Sequence, residues 1–389
     1  MSAGTSPPVL MTVPALPVDA FGTSVVVRRL VENLKPEEII LLGRAPDRRA
    51  QLSQDRLHVP AIRVRWLAGG WSGERYSQVV GVIPAVMQGV LAARAAHVGA
   101  VIAVYPDPCS LLSGYLLHRV MGLPLIAYFC DLYMEDRQGA GWEARLARWL
   151  QPRVFQAATR IIAVNQGMVE YYRSRYGIEA LHLPACINHA IPEFEPAPTP
   201  GRVFRIAYSG NINDTRIDSI RALVAAVGED PSMAIHYFTP QTPDYLRTLG
   251  VWSRNATAEF IADEEALIKR LMECDALFLP LTFETGAHSR DQMATCFGIK
   301  SYEYFLARRP ILVHVPGDYF LARFYRQWDC GVVVDDPSPQ ALLAGLNRIR
   351  GNPDLRNSLV RQGLVAARQF EGPRIAAALR AEIAAVMSS

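Results

Sequence analysis

Short apolar runs alternate along this chain with segments whose apolar positions recur at helical spacing. Val9–Leu16 reads as a buried strand, and Pro17 to Ser24, with Gly22 and Thr23, as a glycine turn with a Ser/Thr cap. Val25–Leu34 comes next as a helix carrying Val26, Val27, Leu30, Val31 and Leu34 on one face. Glu37–Leu42 is a second strand, and residues 44–75 are loop-rich. From Val98 the rhythm sharpens. Ala100–Tyr105, Leu125–Phe129, Ile161–Val164 and Leu181–Pro184 read as strands, separated by helices at Leu111–Met121, Trp142–Ala157 and Gly167–Tyr176. Pro106 to Ser110 reads as a turn with a cap ahead of the first of these helices. The proline-dense Pro192–Gly201 reads as an interdomain linker.

Beyond it the alternation restarts. Arg205–Tyr208, Ala234–Phe238, Ala258–Ile261, Ala276–Leu281, Ile311–Val315 and Gly331–Val334 are expected strands, with helices at Ile217–Val227 and Glu264–Cys274 among them. Two or three helices close the chain, the last from about Pro373 to Met387. Alternating strands and helices with apolar strands imply parallel sheets covered on both faces. The class is therefore α/β, with two Rossmann-like halves. Expected boundaries are 1–190, a linker at 191–203, a second domain at 204–370 and a closing helix at 371–389.

A length of 389 residues suits two domains. The six cysteines lack Cys-x-x-Cys spacing, which points away from zinc and disulfides and fits a reducing cytosol. The first residues lack the basic and apolar regions of a signal peptide. No uninterrupted apolar run is long enough to span a membrane. The nearest, Val79–Ala93, contains Pro84 and Gln88 and is expected as a buried helix or helix pair. A net charge of +3 is too small to imply nucleic acid. Basic residues do gather between Arg44 and Arg75, beside Trp66 and Trp71. They fit either an anionic surface or a solvated arginine-rich loop.

The richest chemistry lies in Cys296–Val315. Gly298 forms a turn before a helix running to Ala307, and Pro310 breaks it ahead of the strand Ile311–Val315. A helix opening on a glycine turn offers unpaired N–H groups and a positive dipole end, which suits phosphate. Lys300, one of only three lysines, sits in that first turn, where a cation opposes the dipole. Glu303 lies three residues on, on the same face, and suits ribose hydroxyls. The competing reading is an amphipathic helix with a surface Lys–Glu pair. In parallel sheets ligands bind at the carboxyl ends of strands, where Asp131 is expected, either as a site residue or as a helix cap.

With these residues in register, the chain resembles the GT-B glycosyltransferases, family 4 of the retaining, nucleotide-sugar-dependent enzymes. The family's Glu-x7-Glu segment is similar to Thr295–Ile311, with Phe297, Gly298, Glu303, Ala307 and Pro310 aligned and Thr295 in place of the first glutamate. The resemblance implies Glu303 as ribose ligand and the backbone at Gly298 and Ile299 as the diphosphate cradle, with Ser301 among the donor-binding residues. The family's Gly-Arg-x4-Lys turn resembles Gly210-Asn211 through Arg216, with Asn211 replacing arginine. Lys300 would supply the missing charge. Phe260 and Ile261 resemble the base-stacking region, and Gly22 and Thr23 the glycine-rich loop of the first domain. Cys130-Asp131 resembles a His-Asp pair with the histidine lost.

The same resemblance implies a GT-B fold, with two domains facing across a cleft. The implied activity is retaining sugar transfer from a nucleoside-diphosphate-sugar to an acceptor hydroxyl, in bacterial glycan or glycoconjugate synthesis. Arg216 and Lys300 would stabilise the leaving diphosphate, and Asp131 would orient donor sugar or acceptor. No Asp-x-Asp is present, so no metal and no cofactor beyond the donor are expected. Glu284, His288 and Arg290, in the loop before the donor helix, are further donor-binding candidates. Expected partners are the donor, an acceptor glycan, lipid-linked saccharide or small molecule, and peripherally a membrane through the first domain; nucleic acid is excluded. The expected location is cytoplasmic, at most peripheral on the inner membrane face. Two other readings stand beside this one. The three substitutions at Thr295, Asn211 and Cys130 also suit an inactive homologue serving as a binding subunit. A sugar-nucleotide epimerase shares the paired Rossmann-like halves.

Overall fold

The structure is a computed structural model that describes residues 7–16, 23–44, 58–64, 74–137, 139–284 and 288–388. Gly22, Trp66 and Trp71 lie outside the described residues. The chain divides into two compact units, 1–188 with 370–389, and 189–369.

In the first unit the elements run β1 (Val9–Ala15), α1 (Thr23–Val31), β2 (Ile39–Arg44), β3 (Ala61–Val64), α2 (Glu74–Ala95), β4 (Ala100–Tyr105), α3 (Pro108–Met121) and β5 (Leu125–Phe129). They continue with α4 (Tyr133–Asp136), α5 (Trp142–Ala157), β6 (Arg160–Ala163), α6 (Gln166–Tyr176) and β7 (Leu181–His182). The second unit holds β8 (Phe204–Ser209), α7 (Ile217–Val227), β9 (Met233–Phe238), α8 (Pro243–Thr248), β10 (Ala256–Glu259), α9 (Glu264–Leu271), β11 (Ala276–Pro280), α10 (Arg290–Thr295) and α11 (Ser301–Leu306). After these come β12 (Ile311–His314), α12 (Phe320–Gln327), β13 (Val332–Val334), α13 (Pro339–Gly351) and α14 (Pro353–Ala367). The closing helix α15 (Gly372–Ser388) returns to the first unit.

Both expected parallel sheets are present, ordered β3-β2-β1-β4-β5-β6-β7 and β10-β9-β8-β11-β12-β13. Every residue of β4, β5 and β11 is buried, as strands covered on both faces must be. In each sheet the strand order reverses beside the first strand, between β1 and β4 and between β8 and β11. Such a reversal opens a crevice at the carboxyl ends, where ligands bind in open α/β sheets. That rule singles out the carboxyl ends of β1 and β8.

Several local expectations change. Asp107 caps α3, accepting from the Ser110 N–H at 2.8 Å, so the helix starts at Pro108 rather than Leu111. A strand, β3, occupies part of the stretch expected as loop; it is an edge strand with only Val64 buried, so its pattern is faint. Val79–Ala93 is one continuous helix through Pro84, and its solvent face is apolar rather than buried. The helix expected from Gly298 begins at Ser301, preceded by a tight turn in which Ser301 N–H donates to Gly298 O at 2.8 Å. All six residues of α11 are buried, because the helix lies inside the unit. A surface Lys300–Glu303 pair is therefore excluded.

The closing helix is tied to the first unit by chemistry as well as packing. Arg380 grips Glu38 with two bonds, at 2.7 and 2.9 Å, and also donates to Asn33 O at 2.7 Å. Arg160 pairs with Glu382 at 2.8 Å. The proline-rich segment belongs to the second unit, where Ala197 N–H donates to Asn357 of α14 at 2.9 Å and Arg361 lies 4.4 Å over the Phe194 ring.

Candidate functional site

The crevice beside β8 is built from its own strand end. β8 closes on Gly210, whose φ of 117° is open to glycine but strained for other residues. Lys300, arriving from a segment ninety residues on, lies directly over this glycine. A Cβ at position 210 would stand 3.1 Å from Lys300 Cε, 4.0 Å from its Nζ and 3.7 Å from Tyr208 Oη. Burial pushes the Tyr208 phenol up to about 12, and Arg216 is the charge near enough to oppose that. Lys300 thus lies over the end of β8 and Arg216 in the turn that follows it, and both are half-buried.

Arg216 is held by its own turn. It donates to Asn213 Oδ1 at 3.1 Å and to Thr215 Oγ1 at 2.6 Å. Gln241 fixes the turn itself: its side chain accepts from Ile212 N–H at 2.7 Å and donates to Ile212 O at 2.8 Å. Tyr208 donates to Asn211 O at 2.7 Å. Asn211, Asp214, Gln241 and His288 line a hollow of about 460 Å³ beside this turn. His288 Nδ1 faces Gln292 Oε1 at 3.4 Å.

Tyr304 joins this turn to the helix expected to carry phosphate. Its hydroxyl accepts from Ser209 N–H at 2.9 Å and donates to Phe278 O at 3.2 Å, bridging the end of β8 to the middle of β11. Gly298 is buried and packs on Leu279, where a Cβ would stand a tight 3.3 Å from Leu279 Cδ1. Ile299 is half-buried and Ser301 wholly buried. Glu303 is 5% exposed, set inside α11. Thr295 is buried and turns its hydroxyl back into α10, donating to Asp291 O at 3.0 Å and Gln292 O at 3.2 Å. Arg290 stands exposed and pairs with Asp318 at 2.7 Å, which holds the Asp318 carboxyl below its ordinary range. Glu284 is exposed, its N–H bonded to Thr282 Oγ1 at 3.0 Å. Phe260, 53% exposed, and half-buried Ile261 come after β10, two strands from β8.

In the first unit, Asp131 lies just past β5, half-buried. Burial pushes its carboxyl up to about 7; Asp136 adds to the shift and Arg137 opposes it. The cap of the next helix, α4, is Leu132 and uses no side chain, so Asp131 is not a helix cap. Around it, Tyr105 donates to Asp136 at 2.9 Å, and Arg137 pairs with Asp136 and Glu143, each at 3.2 Å. Thr23 opens α1 and is half-buried. Among the described residues no three His, Cys, Asp or Glu side chains converge as metal ligands.

The structure therefore brings Gly210, Asn211, Arg216 and Lys300 together, with His288 beside the same turn. Sequence reasoning missed Tyr208, Gln241 and Tyr304, which shape that turn. Only Tyr304 carried a signal, as the neighbour of Glu303 in the aligned segment.

Residues 21–183 match the model of the glycosyl transferase 4-like domain. No curated protein matches the sequence. Among solved structures, sucrose-phosphate synthase from Thermosynechococcus elongatus aligns with a TM-score of 0.72 at 17% identity, over 99% of this chain and 100% of that one. Anabaena HepE in complex with UDP and glucose aligns with 0.71 at 13% identity, over 97% and 99%. A glycosyltransferase from Rickettsia africae aligns with 0.68 at 12% identity, over 98% of both chains. At such identities the likeness shows the fold, which is GT-B. The first half of the chain is thus similar to a glycosyl transferase 4-like domain, and the chain as a whole has the GT-B fold.

Proposed function

We propose that the protein moves a sugar from a nucleoside-diphosphate-sugar to an acceptor hydroxyl with retention and without a metal, in bacterial glycan or glycoconjugate synthesis. The observation that carries this reading is the seating of Lys300 over Gly210 with Arg216 on the same strand end. The neighbour HepE was solved with UDP and glucose, which supports a nucleoside diphosphate as the occupant.

In this reading the diphosphate lies over Gly210, where the missing side chain lets the chain approach a ligand closely. As the sugar–phosphate bond breaks, negative charge grows on the leaving oxygen. Arg216 is held by its own turn before that moment, and Lys300 already stands over Gly210, so the growing charge meets cations in place. Asn211, Gly298, Ile299, Ser301, Glu303, Phe260 and Ile261 would bind phosphate, ribose and base. Thr23, Glu284, His288, Arg290 and Thr295 complete the proposed donor set. Asp131 orients the sugar or acceptor. Its carboxyl, shifted to about 7, is partly protonated near neutrality and able to donate as well as accept a hydrogen bond. The acceptor is a glycan, a lipid-linked saccharide or a small molecule, reached at the inner membrane face through a peripheral contact of the first unit.

A thermal-shift screen across nucleoside diphosphates tests the reading. A ligand at about a hundred times its Kd adds roughly 2.7 kcal/mol of apparent stability. NMR of the product's anomeric proton then reports retention. A protein stabilised by no nucleoside diphosphate would end the proposal. Turnover of the donor without acceptor would favour an epimerase instead.

A further inference from the structure

The outward surface of α2, α3 and α5 in the first unit is unlike a solvated helix layer. From Ser77 to Ala93, α2 carries no charged residue. Its outward side chains Ile83, Met87 and Leu91 are 64%, 63% and 67% exposed. They recur every fourth residue and so form one stripe along the helix. Three large side chains so exposed present roughly 300 Å² of apolar surface, comparable with the largest patch of a typical monomer, which is often functional. Beside α2 packs α3, which adds Val120, 60% exposed, in its last turn. On the far side of α3 lies α5, whose Trp149 is 42% exposed and stands edge-on to Tyr115 of α3 at 6.5 Å.

The charge around this stripe has one sign. Arg94 and Arg119 end α2 and α3, and Arg145, Arg148 and Arg153 stand on α5; all five are exposed. Arg153 lies over the Trp149 ring at 4.7 Å. No Asp or Glu occurs from Arg75 to Pro106, from Pro108 to Cys130 or from Ala144 to Val169. The acids of this region, among them Asp107, Asp131 and Glu143, sit in the turns before helices or in their first turns, at the carboxyl edge of the sheet.

We infer that this face docks the protein on an anionic lipid surface. Apolar side chains enter the boundary between headgroups and acyl chains, an indole settles at headgroup level, and arginines meet lipid phosphates. A second copy of this chain is disfavoured as the occupant, because a two-fold pairing would set the same arginines against each other. Among the described residues no helix is long and apolar enough to cross a membrane, so the contact is peripheral. The inference rests on the membrane contact in the proposed function, not on its chemistry. It moves that contact from the Arg44–Arg75 stretch to α2, α3 and α5.

The test is cosedimentation of the full chain with vesicles of phosphatidylcholine, with and without phosphatidylglycerol. Two triple variants accompany it, Ile83→Gln/Met87→Gln/Leu91→Gln and Arg145→Gln/Arg148→Gln/Arg153→Gln. All six positions are exposed, so both variants should fold, and a UDP thermal shift checks the donor site. The parent is expected to pellet only with phosphatidylglycerol vesicles, and less at high salt. The apolar variant should bind about tenfold more weakly or worse. The arginine variant should lose about fivefold for each charge that meets the surface. Absence of binding to the anionic vesicles would overturn the inference, as would binding that both variants retain. A dimer that the apolar variant dissolves would overturn it in favour of a contact between copies. Failure of the proposed chemistry looks different: vesicle binding persists while UDP shifts nothing.

Discussion

Gly210→Ala is the substitution whose consequences the geometry specifies most closely. At φ 117° an alanine is strained, and holding a residue in such a region costs about 1–3 kcal/mol. The new methyl would also stand 3.1 Å from Lys300 Cε. A lysine stem is flexible and will swing away, so this contact adds little to the stability cost. It does displace the ammonium from the strand end, and a hydrogen bond to a charged group is worth about 1.5–3 kcal/mol. The second unit spans 189–369, a size at which each kcal/mol moves Tm by about 2–4 °C. Calorimetry should therefore show the transition of that unit falling by roughly 2–12 °C, from those two ranges together. UDP affinity should weaken about tenfold or more. Gly351→Ala, at the end of α13 in the same unit, is the control: its φ is not positive and its Cβ would meet nothing within 4 Å. If Gly210→Ala melts and binds UDP like the parent, Gly210 is not the close-approach point, and the diphosphate does not lie over it.

Other outcomes depend on particular contacts. Tyr304→Phe leaves Ser209 N–H without its partner, which should cost about 1–3 kcal/mol in urea unfolding and loosen the turn that holds Arg216. Arg380→Ala removes the two bonds to Glu38 and one to Asn33 O, and should lower the stability of the first unit by about 1 kcal/mol. Asp131 is raised to about 7 in the fold, so the folded state binds more protons than the unfolded one between its ordinary pKa and that value. Its contribution to stability is full at acid pH and lost as pH climbs through about 7. Asp131→Asn should therefore raise Tm at pH 8 and leave it unchanged at pH 4; a gain at acid pH instead would reverse the assignment.

Much of the fold could be read from the chain because parallel strands buried on both faces are continuous apolar runs. Ala100–Tyr105 and Leu125–Phe129 are such runs, and they coincide with β4 and β5. β3 escaped because an edge strand buries little and its residues alternate weakly. The solvent face of α2 escaped for the opposite reason: a helix apolar all round gives no sign of which side is exposed. At the site, Gly210, Arg216 and Lys300 stood out by residue type, since lysine is rare here. The seating of Lys300 over Gly210, and the hydroxyl of Tyr304 that ties β8 to β11, depend on contacts across some ninety residues of sequence. No local pattern encodes those.

The proposed chemistry stands or falls with Lys300 and Arg216 jointly holding a diphosphate at the end of β8. Titration calorimetry of UDP into the parent, Lys300→Ala and Arg216→Ala puts that to the test. Saturable binding to the parent is expected, with a loss of roughly tenfold to a hundredfold in each variant. Equal affinity in all three, or none in the parent, would contradict it.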